Sequence, residues 1–525
     1  MEKFKEVLNK SYSIIAMIAI LVTLFLINSF HIINENVIGN VFFILLGIGI
    51  MFLLNKFIIN KIQNKTIKIC IIVLLLIFLV LEILSVIYFR VEYNWDFKWI
   101  MDSSRDIATT GTTENTFYFK MFPNNWGALA LTTVAMAITG GSAVGAYAMN
   151  IIFIFLAALF AVLAARKIGG NRLALNTVIL LVGCAPLYLY SPIVYTDSLS
   201  VAFPIATLYF WLLAKENREK AKKKKSYIWT AVTALVGIIG YCIKPVAAIV
   251  LAAIVIDELF TNLNKDTLKK IAIILVIVLA VIKVFNFLGE RIIIKDSRKN
   301  DIEFPMTHWI MMGLNKPESE GGTAIGYGAY SQKDADFTAE SGNYGEKKAA
   351  NISKIKERLK EYGFGGYMQF LFNKFGYIWN DGSYYILRQI GWDTKNTESV
   401  PYKIVIDENS NGFFKGYMTN FNNYIFFVIF AGAIIEIIRK EKNQLSRIMG
   451  ITIVGIALFL LIWEARSRYI YFLIPVFCLF SAYEFRNILS VIERLIQKKK
   501  KINVSEEDKE RIQNEKNISS DTNVL

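Results

Sequence analysis

The sequence predicts an all-α polytopic membrane protein with about twelve transmembrane helices and an extracytoplasmic α-rich loop domain. Three observations predict the helices and the loop. Of the 525 residues, 54% are hydrophobic, and they gather into runs of bilayer length. The breaks between runs alternate between rich and poor in Lys and Arg. One long segment, 290–420, is aromatic and charge-balanced, with 17 Lys plus Arg against 17 Asp plus Glu. The net charge of +15 therefore lies in the short breaks, where it sets topology, so the basic balance does not imply a nucleic-acid partner.

The apolar runs cover approximately 11–30, 40–59, 69–89, 145–165, 173–190, 198–214, 227–243, 245–262, 270–289, 421–439, 446–463 and 469–488. The N-terminal tail and the breaks NKFIINKIQNKTIK, ARKIGGNR, AKENREKAKKKKS, NKDTLKK and RKEKNQLSR are basic, whereas HIINENVIG and SPIVYTD carry no Lys or Arg. The positive-inside rule places the first set, with both termini, in the cytoplasm of a multi-pass cell-membrane protein. The first run follows MEKFKEVLNK without a small-residue cleavage site, so it is expected to be retained as a helix. WGALALTTVAMAIT, 126–139, would put ARKIGGNR outside if it crossed the bilayer, so a short surface helix is expected there.

These parities divide the chain into a two-span N-terminal extension (1–68), a transmembrane core (69–289) with a first external loop (90–142), an extracytoplasmic domain (290–420), C-terminal transmembrane helices (421–488) and a polar cytoplasmic tail (489–525). Within the outer domain, NISKIKERLKEYGFGGYMQFLFNKFGYIW has helical periodicity broken at Gly363 to Gly366, and GGTAIGYGAY reads as a loop.

Chemistry is sparse. Cys70, Cys184, Cys242 and Cys478 all lie in apolar segments without CxxC spacing, and the histidines are His31 and His308 alone. A disulfide frame, a zinc site and a His-based triad are not suggested; no cofactor is called for, and a divalent metal has no support. The polar groups at awkward membrane boundaries nevertheless share one side: Asp96 after the third run, Tyr195 and Asp197 in YTDSLS, Lys244 in CIKPVAA, and Glu464, Arg466 and Arg468 in WEARSRYIYFLIP. Charge near hydrocarbon costs roughly 2.5 to 3.5 kcal/mol at a helix centre, so shared sidedness points to one outward-facing pocket. Lys244, Arg466 and Arg468 have the chemistry to hold a lipid phosphate, and Asp96 that of a base beside it. Trp95, Phe97 and Trp99 are expected to anchor an amphipathic helix at headgroup depth, with Asp102 and Asp106 on its polar face beside Arg105. Competing roles stand beside these: helix capping for Asp96 and Asp197, headgroup binding or pairing with Glu464 for the arginines, snorkelling for Lys244, a turn for Pro123 to Asn125, and aromatic packing for His308. Span interiors read as nearly free of charge apart from Lys283 and Asn286.

NWDFKWIMDSSRDIATTG, YFKMFPNNWGALAL, the run to AARKIGG and CAPLYLYSPIVYTDSLS together resemble the membrane glycosyltransferases of the GT-C fold, which include protein O-mannosyltransferases and aminoarabinose transferases. The resemblance covers about 93–215, with CIKP and EARSRY adding to it, and departs from the family at FPNN, where a second proline is usual. It implies a polyprenyl-phosphate sugar donor and a catalytic Asp96. On this reading Lys244, Arg466 and Arg468 bind donor phosphate, and Asp197, Tyr195, Asn124, Asn125, Glu464 and His308 contact substrate. The expected activity is inverting transfer of a hexose or pentose to an extracytoplasmic glycan, glycolipid or protein, among membrane lipids. A flippase for lipid-linked saccharide and a polysaccharide polymerase or ligase are the alternatives.

Overall fold

The computed structural model describes residues 2–33, 36–289, 301–317, 326–406, 411–439, 443–495 and 497. Residues 290–300 of the expected outer domain, 321–325 of GGTAIGYGAY and the tail from 498 lie outside the described residues. Among those described, the chain is helical without a strand; Val91 and Thr394 form an isolated antiparallel bridge.

Among the described residues, ten helices are long and apolar enough to cross a membrane: Glu6–Ile33, Val37–Ile59, Asn64–Tyr88, Ala143–Gly183, Thr196–Glu219, Lys223–Ile243, Lys265–Leu288, Gly412–Ile438, Gln444–Ile462 and Ser467–Leu495. The difference from about twelve has two physical causes. The runs 145–165 and 173–190 join in Ala143–Gly183, whose 41 residues break at Gly169 and Gly170, the latter at φ +75° where a side chain is disfavoured. Run 245–262 is shortened by Pro245, which opens a 3₁₀ turn (Pro245–Ala248) before a helix of only 13 residues, Ile249–Thr261.

The Gly169–Gly170 break is a hairpin. Next to it Asn171 Nδ2 donates to Asn64 Oδ1 (2.7 Å) and Arg172 donates to the Asn60 carbonyl (3.2 Å). Far along the first arm, Asn150 Nδ2 reaches the carbonyls of Tyr190, Ser191 and Ile193 beyond the second arm, at 2.9 to 3.2 Å. Both arms therefore begin and end at the same end of the bundle. Fully buried Ala157, Ala158, Ala161, Ala164 and Ala165 let neighbouring backbones approach closely.

The same hydrogen-bond logic sorts the whole bundle. At one end lie the lysine-rich turns, tied by Lys167–Glu216 (2.5 Å), Arg218–Glu258 (2.7 Å), Lys270–Asp266 (2.7 Å) and Arg447–Asp257 (2.7 Å). The other end holds the loops after Tyr88, Gly183, Ile243 and Ile462. Helix Trp126–Ile138, 13 residues or about 20 Å long, packs along Trp95–Thr110 at this second end; Gly127 there abuts the Cys242 carbonyl.

The expectation of charge-poor span interiors is corrected. Glu82 and Glu484 are fully buried and Glu436 nearly so, and neither Glu82 oxygen has a hydrogen-bond partner among the described residues. Glu82 had been hidden by its apolar flanks in KICIIVLLLIFLVLEILSVIYF; Glu436 and Glu484 share the Ser446 hydroxyl, at 2.6 and 2.9 Å.

The segment expected to form the outer domain is built on Thr307–Met312, Gln332–Glu340 and Tyr344–Trp379, the last broken at Gly363 (φ +56°) as its periodicity predicts. Arg358 holds Asp334 in a fork, at 2.6 and 3.0 Å, and caps the Met311 carbonyl at 2.6 Å. Lys374, with no exposed surface, fastens this domain to the bundle: its ammonium donates to the carbonyls of Gly313 (2.6 Å), Leu461 (3.1 Å) and Trp463 (2.6 Å). Burial pushes its pKa down to about 7. His308 is buried against Phe304 and Trp309, and Nδ1 shares a proton with Thr338 Oγ1 at 2.7 Å.

Lys374→Met leaves three carbonyls without a donor and is expected to lower stability by about 3 kcal/mol, read as a drop in Tm in detergent with faster proteolysis of the outer domain. An unchanged melt refutes the clamp. Burial also lowers the His308 pKa to about 4, below the unfolded value of about 6.5, so the fold keeps this ring neutral. Its contribution is complete above about pH 6.5 and is lost as pH falls from there towards about 4. A Tm series across that window is expected to fall for the wild-type chain and to flatten for His308→Asn.

Candidate active site

Asp96 sits in the first turn of Trp95–Thr110, whose N-cap is Asn94. It is not the cap. Its Oδ2 accepts the Tyr195 hydroxyl at 2.9 Å, and Tyr118 lies near enough to feel the same carboxylate's charge. Tyr118 in turn accepts from Asn125 Nδ2 at 2.6 Å and stacks on Trp99 at 5.6 Å. The FPNN turn thus reaches Asp96 through a tyrosine. Burial and the nearby Asp96 charge push both the Tyr118 and Tyr195 pKa values up, so both phenols stay protonated donors.

Asp197, 1% exposed, opens the helix Thr196–Leu199 but spends its carboxylate on charge: Oδ1 meets Lys244 Nζ at 2.5 Å, and Oδ2 stands 4.0 Å from Arg468 Nε. Lys244 is fixed by the extended backbone before Pro245. Burial lowers its pKa, with Asp197 opposing. Arg468 lies in a cage of rings, its guanidinium carbon 5.0 Å from Trp95, 5.4 Å from Tyr195 and 5.2 Å from Tyr469. Arg466 donates to the Tyr385 hydroxyl (2.9 Å) and covers that ring at 5.0 Å. Glu464 accepts from Tyr469 (2.8 Å), so the expected pairing of Glu464 with the arginines is replaced by a phenol contact.

Asp96, Tyr195, Asp197, Lys244, Glu464, Arg466, Arg468 and Asn125 are therefore assembled at one end of the bundle, opposite the lysine-rich turns. Asn124 is exposed and turned to Asn125 Oδ1 at 3.4 Å, and His308 is in the outer-domain interior instead of the pocket. Asp102 pairs with Lys98 (2.6 Å) and Asp106 accepts from Thr113 (3.2 Å), in place of the expected Arg105 contacts. Among the described residues no group of three or more His, Cys, Asp or Glu could hold a metal ion.

Two features mark this cluster off. Trp95 (φ +40°), Tyr384 (φ +51°) and Tyr385 (φ +69°) all occupy the left-handed region, at a cost of order 1 to 3 kcal/mol each. Asp381 holds the tyrosine pair in that strained turn by accepting from the Ser383 (3.0 Å) and Tyr385 (2.7 Å) amides and from Ser467 Oγ (2.7 Å). In addition, Arg466 Nε, Arg468 Nε and Asp197 Oδ2 are buried without hydrogen-bond partners among the described residues.

Sequence reasoning missed Tyr118, Asp381, Tyr385, Tyr469 and Tyr330. Tyr330, in the loop whose Gly328 carbonyl accepts the Ala465 amide (2.8 Å), feels the charges of Asp96, Glu464 and Arg466. Tyr118 had a signal, an aromatic within the loop that carries FPNN. Asp381 and Tyr385 had none, since they come from the outer domain by tertiary folding alone.

Comparison with curated proteins gives no match. Among solved structures, the chain is similar to the Archaeoglobus fulgidus oligosaccharyltransferase complexed with zinc and sulfate, at 16% identity and TM-score 0.42 over 81% of this chain and 49% of that one. The archaeal oligosaccharyltransferase AglB from Archaeoglobus fulgidus, complexed with an inhibitory peptide and a dolichol-phosphate, gives 13% and 0.40 over 82% and 51%. ArnT from Cupriavidus metallidurans bound to undecaprenyl phosphate gives 12% and 0.35 over 79% and 77%. The chain spans about half the length of the archaeal enzyme. Residues 4–489 match the model of a family described as conserved hypothetical integral membrane protein, and the chain belongs to that family.

Proposed function

We propose that this protein is a GT-C-type glycosyltransferase that moves a sugar from a polyprenyl-phosphate-linked donor to an acceptor on the extracytoplasmic face: a cell-wall or surface glycopolymer, a glycolipid or a protein. The observation that carries this reading is Asp96, held by Tyr195 whose ring lies 5.4 Å from the Arg468 guanidinium, at the same end of the bundle as two buried arginines whose Nε donors have no partner among the described residues. A buried, unfilled guanidinium donor is costly, and a phosphate oxygen relieves that cost with a charge-assisted hydrogen bond. The positive-inside rule assigns the lysine-rich end to the cytoplasm and hence the pocket to the outer side.

In the proposed reaction an acceptor hydroxyl attacks the anomeric carbon. The bond from that carbon to the donor phosphate oxygen breaks, and its electron pair leaves on the phosphate. Arg466, Arg468 and Lys244 stabilise the charge that grows there, and Asp96 takes the proton of the attacking hydroxyl. Tyr195 and Tyr118 aim the carboxylate. Attack opposite the leaving phosphate inverts the anomeric centre. Asp197 keeps Lys244 and Arg468 together while leaving the arginine 4.0 Å away, far enough for its donors to serve a ligand. The outer-domain strap at Ala465 and Gly328 brings Tyr330 towards the pocket, on the side where an acceptor arrives.

Asp96→Asn is expected to lower the rate of transfer at least about a hundredfold, with unchanged abundance and melting temperature. Arg466→Gln and Arg468→Gln are each expected to reduce kcat/KM for the lipid donor by about a hundredfold. Both are measured on purified protein supplied with a polyprenyl-phosphate monosaccharide. Turnover only with a diphosphate-linked oligosaccharide would replace this reading by a polymerase or ligase, and full activity of Asp96→Asn would remove the base.

A further inference from the structure

The helix Tyr344–Trp379 carries an apolar face that its own domain leaves bare. Beyond the break at Gly363, Phe364, Met368 and Phe372 recur every four residues and so share one side of the helix. They are 86%, 50% and 51% exposed. Phe370 falls on the opposite side, where it is buried with its ring 5.9 Å from that of Tyr327. A helix packed on one side and lined with large bare apolar groups on the other calls for a second partner.

The bare face continues without interruption into the bundle. Phe375 and Trp379, seven and eleven residues after Met368, lie on the same side of the helix but are buried. Phe30 receives Phe372 and Phe375, with ring centroids 4.6 and 5.9 Å apart, and Gly376 admits that ring, since an added Cβ would stand 2.5 Å from it. His31 Nε2 donates to the Trp379 carbonyl at 2.7 Å. Phe30 and His31 belong to the last turn of Glu6–Ile33, a helix of bilayer length. Residues 372–379 cover about 10 Å of helix, whereas the two residues that meet them are a single step of about 1.5 Å apart. The segment therefore runs across the end of that span and not along it, and Phe364 and Met368 overhang the bundle at the depth of the span's last turn. Beside them Val22, Phe25 and Ile33 of the span are exposed as well, the kind of surface that acyl chains cover. Gln369 and Asn373, paired at 3.0 Å, edge the apolar stripe with polar groups, as a helix at the boundary between acyl chains and headgroups requires. One partner fits a face that is continuous with a lipid-exposed span and lies at its end: the bilayer itself.

We infer that residues 364–379 form a helix seated in the bilayer leaflet at the site end of the bundle, with Phe364, Met368 and Phe372 among the acyl chains. The test uses the full-length protein in phosphatidylglycerol nanodiscs. The photoreactive p-benzoyl-phenylalanine replaces Phe364, Met368 or, for comparison, Lys356, which is exposed on the first half of the same helix. After irradiation, mass spectrometry is expected to show lipid adducts at 364 and 368 that exceed those at 356 by at least about tenfold, the preference of one large apolar side chain for hydrocarbon over water. Adduct yields at 364 and 368 no higher than at 356 would overturn the proposal. So would crosslinking at 364 to a second copy of the chain, which would make this face a protein interface. Matching melting temperatures for the three variants separate loss of seating from loss of folding.

Discussion

Burying an ionised carboxylate is costly unless cations stand beside it, and the arrangement at Asp197, 1% exposed, follows from that constraint. It draws Lys244 to 2.5 Å and Arg468 to 4.0 Å. These three residues come from the openings of three separate stretches of chain, after Tyr195, after Ile243 and after Ile462. Removing one partner would strand charge in a medium that solvates it poorly, so the three stretches are held to one register. The register sets where Tyr195 points, and Tyr195 in turn holds Asp96. The acidic residue proposed to do the chemistry is thus placed with the help of another acidic residue that pairs with cations.

The outer domain closes the arrangement from above. Lys374 collects carbonyls from Gly313 in that domain and from Leu461 and Trp463 at the edge of the pocket, and Ala465 is strapped to Gly328 between the pocket residues Glu464 and Arg466. Gly328 has room for no side chain: at φ +66° an added Cβ would meet Lys374 Cε and the Gly313 carbonyl, both at 2.6 Å. The strained Tyr384–Tyr385 turn is tolerated because Asp381 and Ser467 over-determine it. Strain and burial are concentrated where three cations must be kept close without collapsing onto the carboxylates.

Sequence reading reached the helical membrane fold and the gathering of the misplaced charges at one end of the bundle, because hydrophobic run length and lysine placement are each fixed by the bilayer. It reached the break at Gly363 through periodicity. Its runs part from the single long helices where glycine and proline change a helix without ending the apolar run, at the Gly169–Gly170 hairpin and at Pro245. It missed Glu82 because a single carboxylate among leucines barely alters the hydropathy of its window. At the site, Asp96, Asp197, Lys244 and the arginines were legible as charges out of place, whereas Tyr118 and Tyr385 were not, since a tyrosine near a membrane surface is ordinary. Asp381 and Tyr385 reach the pocket across more than eighty residues from Arg466, a separation that only tertiary packing resolves.

The two ends of the bundle use the same residue types to opposite purpose. At the lysine-rich end Asp257 is matched to Arg447, Glu258 to Arg218 and Asp266 to Lys270, with Tyr12 and Gln444 filling the remaining contacts of Asp257 at 3.1 and 3.0 Å. Donors and acceptors there are nearly all spent, which fastens helices from both halves of the chain. At the other end the arginines lie against aromatic rings, with Arg468 also 4.0 Å from Asp197, and among the described residues their buried Nε donors have no hydrogen-bond partner. An aromatic face holds a guanidinium in position without consuming its hydrogen bonds. Surrounding Arg466 and Arg468 with tyrosine and tryptophan therefore keeps them charged, oriented and chemically unspent, the condition a pocket must meet to receive charge from a substrate instead of merely neutralising its own.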